Sequence, residues 1–345
     1  MHKAIRSGRT EPPGKVTLEM VASAAGVSPS TVSRILNGTA VVSDEKRAAV
    51  DRAIAKLGFV PDPVARGLAG GRTLSIGVVT QAIDSPFYGA ALRGIEVALG
   101  AAGYSPLFMS GRWQAQEEAR CIDVLRSRRV DGLIVLTGRL SDSALRSVAR
   151  TLPVVVTGRR LKASNLVSLD FDHREGARQA TQHLIDLGHR RIAFIGGVAE
   201  HPDAVEREKG YRIALEAAGL RFDPALCVPG AFTEHGGLQA VEQLLERRPR
   251  WTAIFAANDQ MALGAALGLH RRGLHVPDDV SLVGFDDVAA SMYAVPPLTT
   301  VHNPIHEIGE LAARAMLAML AGERLPLEVP APRLVVREST RHAPA

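Results

Sequence analysis

This chain has few aromatic and few sulfur-bearing residues. Of its 345 residues, 4% are Phe, Trp or Tyr, and only Cys121 and Cys227 carry thiols. Two cysteines cannot build a disulfide framework, and their scarcity fits a reducing compartment. No uninterrupted apolar run approaches the roughly 20 residues that span a bilayer. The opening MHKAIRSGRTEPPGK lacks an apolar h-region, so a secretory signal is not expected and a cytoplasmic location is. Catalytic signatures are equally scarce. There is no Walker A sequence, no G-x-G-x-x-G and no G-x-S-x-G elbow. The eleven histidines show no metal-ligand spacing. Nothing argues for an enzyme, so the expectation is no catalysis, no metal and no cofactor.

What is present divides unevenly. Residues 1–72 hold 11 Lys and Arg against 6 Asp and Glu, whereas the remainder holds 30 against 30. The net charge of +5 therefore belongs to the first fifth of the chain, as expected for a segment that meets phosphates. Within it, TLEMVASAAGVSPSTVSRILNG (17–38) reads as two short helices about a turn at Gly26. Ser28 is placed as N-cap and Pro29 at the first helical position. Val32, Ile35 and Leu36 point inward, leaving Ser30, Thr31 and Arg34 outside. Small polar residues plus one arginine suit a helix that enters the major groove. From this pattern alone, a surface helical hairpin on an enzyme is an open alternative.

Ser43-Asp44-Glu45 then opens a third amphipathic helix that ends at Gly58. PDPVARGLAGGRT (61–73) is a poor free helix that can fold on binding. From Leu74 onward, apolar strand candidates at 74–80, 105–110, 132–137, 153–158, 191–197, 253–259, 280–287 and 299–304 alternate with helical stretches. That alternation predicts parallel sheets covered on both faces. Some ten strands are too many for one small sheet. Two doubly wound lobes are therefore expected, with a ligand between them at the carboxyl ends of the strands. Asn258-Asp259, Asp286-Asp287 and Asn303 end such strands, and Arg207 starts a helix beyond another. These groups suit a polyhydroxylated ligand, with Phe87, Tyr88 and Phe232 as flat walls. Asp259 reads first as a helix N-cap, and Asp287 as a turn residue.

At this point the chain resembles the LacI-type family of bacterial transcriptional regulators. The resemblance rests on VTLEMVASAAGVSPSTVSRILNG, VARGLAGGRT, SPFYGAALRGIE, VDGLIVL, LIDLGHRRIAFIGG, ANDQMALGA, VPDDVSLVGFDD and PPLTTVHNP, in order across about residues 15–340. It implies an α/β chain with an all-α helix-turn-helix headpiece, a hinge helix and two periplasmic-binding-protein-like lobes. The implied layout is a disordered tail (1–15), a headpiece (16–60), a hinge (61–73) and an effector and dimerisation domain (74–340). Within the last, one lobe takes 74–172 plus 305–335 and the other 173–300. The resemblance implies DNA contacts from Thr17, Ser28, Pro29, Ser30, Thr31, Ser33, Arg34, Asn37, Arg66 and Leu68. Leu68 would wedge into the minor groove, with Val64 and Ala65 packing across the dyad. It implies effector contacts from Phe87, Tyr88, Arg159, Arg207, Phe232, Asn258, Asp286 and Asn303. The implied function is a repressor of sugar or sugar-acid genes that binds a pseudo-palindromic operator as a homodimer in the bacterial nucleoid, without any membrane partner. The chain departs from relatives at Asp62, at Pro29, which offers no hydrogen bond to a base, and at Gly158, where relatives often carry an acid. With Arg159, Arg160 and His201 nearby, a basic cleft and an anionic effector such as a sugar acid are expected, with a neutral sugar and a purine as competitors. An α/β enzyme fused to a DNA-binding domain is the second function class.

Overall fold

The chain divides into two units, residues 1–74 and 75–345. The structure, a computed structural model, describes residues 16–36, 42–59, 72–247, 250–323 and 325–344. In the first unit, Thr17 caps helix α1 (Leu18–Ala25) by accepting the Met20 N–H at 3.4 Å. Gly26 ends that helix at φ 69°, a left-handed conformation that favours a residue without Cβ. Ser28 then accepts the Thr31 N–H at 3.2 Å and starts α2 (Pro29–Leu36). Helix α3 (Asp44–Leu57) follows and stops at Gly58, also left-handed. Val21, Ala22, Val32, Ile35, Val50 and Ala53 form the small core that all three helices share. Asn37, Asp62, Val64, Ala65, Arg66 and Leu68, with the tail 1–15 and most of the hinge, lie outside the described residues.

The second unit contains two sheets. The first is wholly parallel, in the order β2-β1-β3-β4-β5, from β1 (Ser75–Thr80), β2 (Ser105–Ser110), β3 (Gly132–Val135), β4 (Val154–Thr157) and β5 (Leu166–Leu169). The second runs β11-β10-β9-β8-β6-β7, from β6 (Ile192–Gly196), β7 (Cys227–Pro229), β8 (Ala253–Ala256), β9 (Ser281–Asp286), β10 (Thr299–His302) and β11 (Arg333–Val335). In this second sheet the β10–β11 pair is antiparallel and the other pairs are parallel. Central strands such as GLIV, VVVT and AIFA are buried at every residue, as expected when helices cover both faces.

The first sheet is covered by α4 (Pro86–Ala101), α5 (Ala115–Ser127), α6 (Asp142–Ala149) and α12 (Ile305–Ala321). Around the second lie α7 (His173–Asp186), α8 (Pro202–Ala217), α9 (Glu234–Arg247) and α10 (Asp259–Arg271), with the single turn α11 (Ala289–Met292) after β9. One expectation needs correction. The chain returns to the first lobe for α12, but residues 333–335 do not stay there, because β11 pairs with β10 at the edge of the second sheet. The C-terminal segment follows it. Ser339 donates to the Leu282 carbonyl at 2.5 Å, and the Ala343 N–H bonds to the Leu187 carbonyl.

Helices α9 and α10 pack backbone to backbone. A Cβ on Gly264 would lie 1.8 Å from the Glu234 carbonyl oxygen, and one on Gly237 would lie 2.1 Å from that of Met261. Neither backbone can yield without separating the helices. Gly264→Ala is expected to cost about 1–3 kcal/mol as overpacking. Urea unfolding checks this; a neutral or stabilising effect would show that the helices separate freely.

Candidate functional site

In the first unit, Ser28, Pro29, Ser30 and Arg34 are exposed along α2, and Thr31 and Ser33 are half-buried beside them. Ser28 Oγ lies 2.9 Å from Ser30 Oγ and 2.8 Å from Thr31 Oγ1, so the polar row is hydrogen-bonded within itself. Arg34 Nε points back to the Ser30 carbonyl at 3.4 Å. Thr17 lies at the exposed start of α1. The buried side of α2 is apolar and its outer side is short, polar and cationic, which leaves its backbone able to approach a groove closely.

The second unit holds a cleft of about 380 Å³ between the two sheets, within the roughly 300–1,000 Å³ of small-molecule sites. Six of the eight expected residues line it: Phe87, Tyr88, Arg207, Phe232, Asn258 and Asp286. Arg207 is central. Its Nη2 donates to Asp286 Oδ1 at 2.9 Å, its Nε to His173 Nδ1 at 3.3 Å and its Nη1 to the Ala257 carbonyl. The guanidinium carbon sits 3.8 Å from the Phe285 ring centroid, which buries the cation against an aromatic face. Three of its five N–H groups are so occupied. Asp286 reaches this position through a backbone φ of 104°, unusual for a residue with a side chain.

Other predicted residues take different places. Asn258 is the N-cap of α10, with Oδ1 accepting the Met261 N–H at 2.9 Å and Nδ2 donating to the Phe232 carbonyl at 3.2 Å. Asp259, the residue expected to be that cap, is instead fully buried and accepts from Val288 N, Ser291 Oγ and Thr300 Oγ1. Asp287 is a turn residue at φ 57°, tied to Arg337 and His302. Asn303 lies behind the cleft wall: its Nδ2 approaches Asp286 Oδ1 at 3.4 Å, while its buried Oδ1 has no partner. Arg159 does not line the cleft. The Leu140 and Gly138 carbonyls hold its guanidinium, with Asp142 at 3.5 Å.

The expected basic cleft is not what the side chains form. Arg159 is turned away, and Arg160 pairs with Asp170 at the surface. His201 is pushed down to about 3 by burial and then by Arg207, so its ring is neutral. Asp84, Asp203, Glu234 and Asp286 line the cleft against the single cation Arg207. Asp203, Trp113, Thr233 and Gln260 also line it and had gone unassigned in the sequence. For Asp203 a signal existed: it stands four residues before Arg207 and so shares its helix face.

Tyr88 is held well above its ordinary pKa by burial and then by Asp203 and Asp286, so it stays a phenol. His173 is kept neutral by burial and then by Arg207. Its Nδ1 accepts from Arg207, so its proton is on Nε2, which faces Asp203 Oδ1 at 3.5 Å. Burial pushes Asp203 up to about 7, against the pull of Arg207. An acid raised in the folded state stabilises fully below its unfolded pKa of 3.8, and that stability is lost as pH rises through about 7. The two histidines, lowered on folding, tilt the other way, their stability being lost as pH falls. Asp203→Asn is therefore expected to make stability rise more steeply with pH between about 4 and 7, by up to about 1.4 kcal/mol per pH unit. Urea titrations at four pH values read this; parallel profiles for variant and parent would contradict it.

Comparison with known proteins matches both units. Residues 17–62 fit the model of bacterial regulatory proteins of the lacI family, and residues 181–340 fit that of a periplasmic binding protein-like domain. The chain is 40% identical to the HTH-type transcriptional regulator CelR of Thermobifida fusca over 336 residues, covering 94% of this chain and 98% of that one. It is 34% identical to catabolite control protein A of Priestia megaterium over 331 residues, covering 94% and 99%. Among solved structures, a CelR–cellobiose complex superposes with a TM-score of 0.70 at 38% identity, covering 94% of this chain and 99% of that one. A lac repressor dimer bound to operator and an anti-inducer superposes with a TM-score of 0.84 at 30% identity over the same shares. These relatives are regulators rather than enzymes, and no helix among the described residues is long and apolar enough to cross a membrane. The chain is a member of the lacI family of bacterial regulatory proteins, a DNA-binding transcriptional regulator with a small-molecule cleft in its body.

Proposed function

We propose that this regulator is a repressor that binds a pseudo-palindromic operator as a homodimer and responds to a neutral sugar in the interlobe cleft. The observation that carries the effector class is the buried Arg207–Asp286 pair inside an aromatic and otherwise acidic wall. Paired donors and acceptors match hydroxyl groups, and Phe87, Trp113 and Phe232 match the apolar faces of a sugar ring. A sugar acid would meet Asp84 and Glu234 with one cation, Arg207, that is already paired to Asp286. The cellobiose bound by the CelR relative supports the same class.

In this reading residues 16–60 dock on DNA through Thr17, Ser28, Ser30, Thr31, Ser33 and Arg34, with Asn37 following and Pro29 allowing close approach. Arg66 and Leu68 act in the hinge, 61–73, at the minor groove. Asn303 and Asn258 brace Asp286 and Phe232. The patch of Leu267, Met292, Tyr293 and Val295, exposed by 45–96%, suits a second copy of the chain. The protein works in the cytoplasm at the nucleoid, without catalysis or cofactor. The sugar changes operator affinity only by its differential affinity for two states of the body.

Thermal unfolding of the purified protein with cellobiose, maltose, ribose, gluconate and adenine tests the effector class. A neutral sugar at a hundredfold its Kd is expected to raise Tm by about 5 °C or more. Stabilisation by gluconate or adenine alone would overturn the neutral-sugar reading.

A further inference from the structure

Two aromatic residues of the cleft, Trp113 and Phe232, each follow another left-handed residue, and Trp113 is the one that the first lobe supplies. It follows β2 in the first lobe, and both it and Arg112 sit in the left-handed region, at φ 58° and 49°. Residues with side chains rarely occupy that region twice in succession, and such conformations persist only where the surroundings hold them. The holder is visible. The Trp113 N–H donates to Gln81 Oε1 at 3.0 Å, and Gln81, at the end of β1, is 1% exposed. The Gln81 main chain is fastened as well, its carbonyl accepting Ser110 Oγ at 2.8 Å. The other end of the Gln81 amide, Nε2, is buried without a partner. An amide carrying an orphaned N–H₂ in a core is costly, and its one side-chain hydrogen bond goes to this turn.

The turn directs the indole across the cleft. Its ring centroid lies 4.2 Å from that of His201 and 5.9 Å from that of Tyr88, while His201 meets Phe232 at 5.3 Å. Trp113 and Tyr88 belong to the first lobe; His201 and Phe232 belong to the second. His201 is itself fixed, its Nδ1 accepting the Asp203 N–H at 3.1 Å. On the far side, the Phe232 ring lies over Gly197, where a Cβ would come within 2.1 Å of it. The half-buried indole thus leaves apolar area facing the same space as Arg207 and Asp286.

We propose that Trp113 is a specificity-determining ligand contact, a platform for the apolar face of a sugar ring, and that Gln81 is its positioning residue. This rests on the neutral-sugar reading above. Trp and Tyr in such desolvated positions carry a large share of binding energy. A ring with equatorial hydroxyls presents a flat apolar face to the indole, so glucose-type sugars are favoured over ribose.

The test uses Trp251→Phe protein, which leaves Trp113 as the only tryptophan. Without ligand, Trp113 emission is expected to be blue-shifted from that of free tryptophan, and Gln81→Met is expected to shift it red and raise quenching by acrylamide in protein that retains its circular dichroism. Unchanged emission in Gln81→Met would overturn the positioning role. Titration with cellobiose is expected to change the emission saturably. Trp113→Ala is expected to weaken binding about ten- to thirtyfold and Trp113→Phe to recover part of it. Trp113→Ala binding cellobiose as tightly as its parent overturns the platform and leaves the neutral-sugar reading intact. Failure of cellobiose, maltose and ribose to raise the Tm of the unaltered protein overturns the reading, and the platform with it.

Discussion

Arg207→Met is expected to destabilise the body by about 3–5 kcal/mol, the range for removing one partner of a buried ion pair. The side chain is 3% exposed, and it is the cation that faces Asp286 and Asp203 inside the protein. Methionine fills much of the volume but leaves the Asp286 carboxyl, the His173 Nδ1 lone pair and the Ala257 carbonyl without their donor. Asp286 is already raised above its ordinary value by burial even with Arg207 beside it. Without the guanidinium it rises further, so the variant is expected to lose more stability at pH 8 than at pH 5. Double replacement with Asp286→Asn should cost less than the two single changes summed, because the groups act as one unit. Urea unfolding of the four proteins reads the cycle. Additive losses, or a single-variant loss below about 1 kcal/mol, would contradict the claim that this pair anchors the cleft.

Asp259→Ala is expected to be of similar size, about 3–5 kcal/mol, for a different reason. Asp259 is fully buried and accepts three hydrogen bonds, from Val288 N at 2.9 Å and from Ser291 Oγ and Thr300 Oγ1 at 2.6 Å each. Each orphaned donor costs about 1–3 kcal/mol. These donors come from the α11 turn and from β10, so the carboxylate ties α10 to both segments beside β9. Burial, and then Asp286, push Asp259 up to about 7, while its three donors hold it down. Asp259→Asn keeps an acceptor in place and should retain more than half of the lost stability. Thermal and urea unfolding of the two variants compare them; equal losses would show that the charge, rather than the acceptor geometry, matters.

The legible parts of this sequence are those that local chemistry specifies. Gly26, Ser28 and the inward Val32 and Ile35 define the headpiece without tertiary information. IGVV, VVVT and AIFA are apolar runs that only a doubly covered sheet accommodates. The edge strands β5 (LVSL), β7 (CVP) and β11 (RLV) are not legible because each holds only two adjacent apolar residues or fewer beside polar or proline positions, too little for an apolar run. Placing 333–335 in the first lobe failed because strand pairing is non-local: β11 joins a partner some thirty residues back, across an intervening helix that belongs to the other sheet.

The cleft shows the same division. Arg207, Asn258 and Asp286 were accessible from their places at strand and helix ends, where parallel folds gather ligand contacts. Arg159 sits at such an end too, but the Gly138 and Leu140 carbonyls, brought near by folding, capture its guanidinium. With that side chain withdrawn and His201 neutral, the cleft expected to be basic holds one cation, and that one is paired to Asp286. Trp113 was invisible for the opposite reason. Nothing in GRWQ signals a left-handed turn, which exists through Gln81, some thirty residues earlier.

A neutral sugar bound in the body is expected to govern DNA binding by the headpiece. Duplexes selected from random sequence by the purified protein provide the operator, and anisotropy of that labelled duplex provides its affinity. With saturating amounts of the sugar that raises Tm most, operator affinity is expected to change at least fivefold, the lower end of typical allosteric coupling. Identical affinities with and without a sugar shown by Tm to be bound would mean that the cleft does not control the headpiece.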